Sequence, residues 1–88
     1  MDYKVLVEFY VPEIEEKFEA YIPINKTIGE ISVLLLNKIR DEYEYFSQNG
    51  RPKLYNRRNY RLYHYNEIVR GTDIRNGTEL VLIAWLPL

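Results

Sequence analysis

Hydrophobic and polar positions alternate without a break from Tyr3 to Val11. Tyr3, Val5, Val7, Phe9 and Val11 fall on one side, and Lys4, Leu6, Glu8 and Tyr10 on the other. A period of two with β-branched and aromatic enrichment predicts a half-buried strand over 3–11. Pro12 ends it, because proline cannot donate to a ladder. After the short polar connection Pro12-Glu13-Ile14-Glu15, a second alternation sets Phe18, Ala20, Ile22 and Ile24 against Lys17, Glu19, Tyr21 and Pro23. So short a link joins antiparallel neighbours, which predicts a hairpin with its second strand over 17–24. Pro23 predicts that this strand lies at a sheet edge or ends there.

The period then changes. Thr27-Ile28-Gly29-Glu30 is a capping box, in which hydroxyl and carboxylate each satisfy an amide at the helix start. Ile28, Ile31, Leu35, Leu36, Ile39, Tyr43 and Phe46 recur at three- and four-residue steps, predicting an amphipathic helix over 28–47. Asn49-Gly50 and Pro52 make a helix stop. Residues 48–59 carry turn formers and positive charge without a period and read as a basic loop. Alternation resumes over 60–65, Asn66-Glu67 turns into a short Ile68-Val69 segment, and Arg75-Asn76-Gly77-Thr78 forms a tight turn. A last strand is expected over 79–85, with Leu80 and Leu82 inward and Val81, Ile83 and Trp85 outward.

Eighty-eight residues with 47% hydrophobic content fit a single domain over 1–88 of the α+β class. One helix covers one sheet face, so the other meets water or a partner, and its apolar content exceeds that of an ordinary solvated face. The absence of cysteine excludes disulfides, a thiol nucleophile and thiolate metal sites. No apolar run approaches the roughly 20 residues that span a bilayer, and the start does not read as a signal peptide. A cytoplasmic location is expected.

At this point the residues resemble a family. Lys17 to Ile28 (KFEAYIPINKTI) is similar to the second strand and helix entry of ubiquitin, and Ile31 and Leu35 fall on its helix core positions. Arg61-Leu62-Tyr63 resembles the Arg-Leu-Ile of its third strand, and Leu80-Val81-Leu82-Ile83 its final strand. The resemblance implies a β-grasp: a mixed four- to five-stranded sheet on one helix, with the first and last strands paired in parallel at its centre. Within that superfamily, the stretch from Ile68 to Leu80, with Ile74-Arg75-Asn76-Gly77 before the last strand, is similar to the YukD-like ubiquitin-like proteins of bacterial type VII secretion systems. Conjugated ubiquitin-like proteins end in Gly-Gly, whereas the last glycine here is Gly77 and the sequence closes Ala84-Trp85-Leu86-Pro87-Leu88. The resemblance thus implies a non-conjugatable domain that binds a protein, as an accessory component of a secretion system.

Charge adds an asymmetry. The formal net charge is −1, yet residues 1–50 hold 5 basic and 10 acidic side chains and residues 51–88 hold 7 and 3. The stretch from Arg51 to Tyr65 (RPKLYNRRNYRLYHY) interleaves arginines and tyrosines, a composition suited to phosphate contact and base stacking. Against nucleic acid stands the overall balance, since such binders carry a clear basic excess. The alternative is a solvated loop whose arginines pair with acids of the first half.

The single histidine, His64, reads as a semi-buried strand residue beside Leu62. It has no nucleophile and carboxylate placed to make it a base, and no clustered ligands to make it a metal site. The sequence therefore predicts no catalytic residue and no cofactor. The expected binding surface is the outward sheet face. Tyr63, Tyr65, Val81, Ile83 and Trp85 are its apolar part, and Arg57, Arg58 and Arg61 select an acidic surface on a protein partner or a second copy. Loop 48–59 folding over this face is the alternative cover for it.

Overall fold

The structure, a computed structural model, describes residues 3–43 and 52–83. Strand β1 (Lys4–Val11) turns through Pro12 to Glu15 into β2 (Glu16–Pro23), and the two pair antiparallel along their whole length. The turn closes with the Ile14 amide donating to the Val11 carbonyl and the Glu15 amide to that of Pro12. Helix α1 (Ile28–Glu42) follows, then β3 (Lys53–Asn56), a single 3-10 turn (Val69–Gly71) and β4 (Glu79–Ile83). The sheet order is β2-β1-β4-β3, with β1 and β4 parallel at the centre and β3 antiparallel to β4. Pro23 thus sits at the end of an edge strand, where its missing N–H costs no ladder bond.

The capping box forms as the local sequence predicts. The Glu30 amide donates to Thr27 Oγ1 at 3.2 Å and the Thr27 amide to Glu30 Oε1 at 3.0 Å. The Thr27 amide, and then the Thr27 hydroxyl donating to Oε1 at 3.1 Å, favour the ionised carboxylate and lower the Glu30 pKa. The helix leaves its conformation at Tyr43, whose amide caps the Ile39 carbonyl. It is therefore shorter than the apolar period predicts; Phe46 and the Asn49-Gly50 stop lie outside the described residues. Ile28, Ile31, Leu35 and Ile39 face Val7, Phe9, Val11, Leu80 and Leu82 in one core, all essentially buried. Phe9 stacks on Phe18 across the hairpin with ring centroids 5.3 Å apart.

The parallel β1–β4 pair is fixed by the Asn76-Gly77 turn. Asn76 Oδ1 accepts from the Leu6 amide and the Gly77 amide donates to the Leu6 carbonyl, both at 2.8 Å. Gly77 takes φ +87°, a left-handed conformation that a side chain would strain. The turn therefore clamps the entry of β4 against the start of β1 and sets Glu8 opposite Glu79.

The third strand departs from the sequence expectation. Residues 53–56, expected within the basic loop, form β3, and the segment expected as a strand over 60–65 pairs with it as an isolated Tyr55–Leu62 bridge, through the Asn56 amide to the Arg61 carbonyl and the Tyr63 amide to the Leu54 carbonyl. Lys53-Leu54-Tyr55-Asn56 is too short to show a period, but Leu54 and Asn56 are buried while Lys53 and Tyr55 face outward. Asn56 Oδ1 then accepts from the Arg58 and Asn59 amides and Tyr60 takes φ 61°. This side-chain turn reverses the chain after β3. Pairing with β4, a non-local event, decides which of two short segments becomes the strand.

Candidate functional site

The register of the sheet stacks its outer side chains in rows. Tyr10 of β1 lies beside Val81 of β4, which lies beside Tyr55 of β3. Arg57, just past β3, sets its guanidinium 5.5 Å from the centre of the Tyr10 ring, a cation–π distance. Together with Pro12 and Tyr60 these side chains line a depression of about 260 Å³ on the face opposite α1. Val81 is its floor and only 4% exposed, whereas Tyr60 stands 77% exposed at its rim. One row further along the strands, Glu19 of β2 is paired with Glu8 of β1, which is paired with Glu79 of β4.

The residues predicted for this face divide. Val81, Ile83 and Arg57 belong to it. Trp85 lies outside the described residues. Tyr63, expected outward, is buried to 4% exposure and belongs to the core. Its hydroxyl donates to Asp73 Oδ1 at 2.5 Å and accepts from Asn56 Nδ2 at 3.2 Å. Burial, and then the bond to Asp73, push its pKa up to about 12. The same bond, against some burial, holds the Asp73 carboxyl below the usual range.

Arg61 is likewise drawn away from the sheet face. Its guanidinium bridges Glu67, lies 3.5 Å from Asp73 and stacks 5.0 Å over the Tyr63 ring. Its charge is met inside the molecule. Tyr65 packs at the start of α1, where its carbonyl accepts from the Gly29 amide and its hydroxyl donates to the Pro52 carbonyl. Arg58 is exposed and lines a separate polar hollow with Asn59, Asp73 and Arg75. His64 is exposed, not semi-buried, because 61–65 is not a strand of the sheet. The basic-aromatic stretch is therefore split among the core, an internal ion pair and the outer face.

No family model matches the sequence, and no curated protein matches it. Solved structures do. The ubiquitin of Caldiarchaeum subterraneum superposes with a TM-score of 0.66 at 13% identity, covering 97% of this chain and 98% of that one. The N-terminal ubiquitin-like domain of the 4931431F19Rik protein gives 0.71 at 12% identity over 100% of this chain and 81% of that one.

The fold is the ubiquitin-like β-grasp.

The same fold recurs in larger settings. A chain of the MycP5-free ESX-5 inner membrane complex gives a TM-score of 0.73 at 15% identity over 97% of this chain, which spans only 22% of that one. A chain of the toluene 4-monooxygenase HD complex gives 0.80 at 6% identity, over 94% of this chain and all of that one. Within the ubiquitin-like sheet the third strand is Lys53-Leu54-Tyr55-Asn56, not Arg61-Leu62-Tyr63. Tyr55 thus takes the place on the outward face expected for Tyr63, and it lies beside Val81. Tyr10 and Glu8 were legible on the second side of the first alternation; Tyr55 carried no periodic signal and Tyr60 stood at the start of the expected 60–65 strand, so both depended on β3 being recognised.

Among the described residues no helix is long and apolar enough to cross a membrane.

Proposed function

We propose that this chain is a non-catalytic protein-interaction module that presents the outer face of its ubiquitin-like sheet to a protein partner. The observation that carries this reading is the Tyr10–Val81–Tyr55 row with Arg57 and Tyr60 around it. Tyrosine and arginine are enriched among the side chains that dominate binding energy at interfaces: tyrosine adds large contact area at little entropic cost, and arginine a planar charged fork. Among the described residues no helix lies over this sheet face, so they have no comparable role in the core.

The module acts in the cytoplasm as an accessory component of a bacterial type VII secretion system. Support for this placement comes from the likeness to a chain of the ESX-5 inner membrane complex and from the Asn76-Gly77 turn ahead of the last strand. The test is affinity purification from the native host with the parent chain and a Tyr10→Ala/Tyr55→Ala variant. Secretion-system subunits should co-purify with the parent and be lost from the variant, which stays folded with a thermal midpoint lowered by at most roughly 8–16 °C. Full retention of every partner by the variant sinks the docking face. Recovery of unrelated proteins alone removes the secretion assignment.

A further inference from the structure

The chemistry of the partner can be read from how charge is laid out around the tyrosine depression. Successive residues on one face of a strand are about 7 Å apart, so Glu8 and Glu79 lie one row from Tyr10 and Val81. Glu19, Glu8 and Glu79 are brought side by side across three strands by the register. Like charges directly opposite one another are unfavourable in a sheet. Among the described residues none of the three carboxylates enters an ion pair; the two ion pairs present both belong to Arg61.

The cations of the face form no ion pair with this row. Arg57 borders it, its amide donating to the Glu79 carbonyl, but turns its guanidinium to the Tyr10 ring, and Lys17, in register with Tyr10, continues the tyrosine row at the β2 edge. Two adjacent rows thus differ in character. One is aromatic, with Lys17 at its β2 end and the Arg57 guanidinium over Tyr10, and the other is three glutamates that form no ion pair among the described residues.

We infer that the outer face docks an extended basic peptide segment, with an apolar side chain in the Tyr10–Val81–Tyr55 depression and lysine or arginine side chains over Glu8, Glu19 and Glu79. This rests on the docking face proposed above and adds the chemistry of its ligand. It reverses the charge preference that the arginine-rich sequence suggests, because Arg61 is neutralised internally while the glutamates are not. Placing a cation over the row removes the mutual repulsion and adds attraction, so the partner's charge pattern fixes its position across the strands.

Amide chemical shifts of the labelled full chain, titrated with two short capped peptides, provide the test. One peptide repeats lysine-serine-leucine-serine, which sets lysine and leucine on one face of the extended chain, and the other carries glutamate in place of lysine. The lysine peptide should shift outer-row amides of β1, β2 and β4. Its affinity should fall about tenfold in a Glu8→Gln/Glu19→Gln/Glu79→Gln variant, and fall likewise on raising salt. Glutamine keeps size and removes charge, so that variant is expected to fold; an amide spectrum matching the parent confirms it.

Equal binding by the glutamine variant overturns the inference. So does binding of the glutamate peptide as tightly as the lysine peptide, or a response to neither. If the glutamate peptide binds and depends on Tyr10 and Tyr55, the docking face stands and only its charge preference falls. If the tyrosine variant also keeps every host partner, the docking face falls with it.

Discussion

The two faces of this sheet are built from the same strands and obey different rules. On the inner face Phe9, Leu80 and Leu82 are fully buried against α1, and their identity follows from the need to exclude water. On the outer face their immediate neighbours Tyr10, Glu79 and Val81 form an aromatic row beside an acidic one. Full burial of a large apolar side chain contributes roughly 1.5–3 kcal/mol, whereas like charges opposite one another in a sheet oppose folding slightly. The contrast teaches where selection for stability stops. One residue step along β1 separates a side chain the fold needs from one it does not.

The strongest way to break this comparison is truncation on each side of the same sheet. Phe9→Ala, which removes the ring stacked on Phe18, should lower unfolding free energy by about 3–5 kcal/mol. Tyr55→Ala on the outer face should cost about 1 kcal/mol or less. Denaturant midpoints at constant slope measure both, and comparable losses would mean that the outer face is structural.

A middle-sized effect is expected where the polar network joins the core. Tyr63→Phe deletes the hydroxyl shared by Asn56 and Asp73 and should cost about 1–2 kcal/mol at neutral pH. Its pH signature is specific. Asp73 is more acidic folded than unfolded, so its contribution is full above the ordinary carboxylate value of 3.8 and is lost as pH falls through the lower folded value. Tyr63 is less acidic folded, so its contribution is full below 10 and is lost as pH rises from there to about 12. Both the acid and the alkaline declines in stability should therefore become shallower in Tyr63→Phe. Unchanged declines would show that other groups govern them.

The smallest effect sharpens the outer face. Glu8→Gln, at the centre of the acidic row, should raise stability by about 0.3 kcal/mol at low ionic strength, and the gain should shrink as salt screens the row. A loss of stability instead would show that Glu8 has a favourable partner.

The first half of the fold was legible because its signals are local. The alternation from Tyr3 to Val11, the Pro12 break, the Thr27–Glu30 box and the Ile28–Ile39 stripe each declare themselves within a few residues. The candidate site was half legible. Val81 and Ile83 were placed outward by the β4 alternation, and Tyr10 by that of β1. Tyr63, Tyr65 and Arg61 were misplaced together, since the alternation of Arg61 to Tyr65 is as regular as that of a true strand. Leu54 is buried and Tyr55 outward only because β3 pairs with β4, a contact between residues far apart in sequence.

Sequence alone determined the elements whose stabilising interactions lie within one hairpin or one helical turn, and with them the α+β class. Tertiary structure decided the third strand, the burial of Tyr63, and the gathering of Glu8, Glu19 and Glu79 into one row. The physical reason is common to all three. Each depends on the register between strands, which is set where the Asn76-Gly77 turn grips Leu6 and where β4 receives β3. No local pattern of polar and apolar residues encodes a register between segments so distant in the chain.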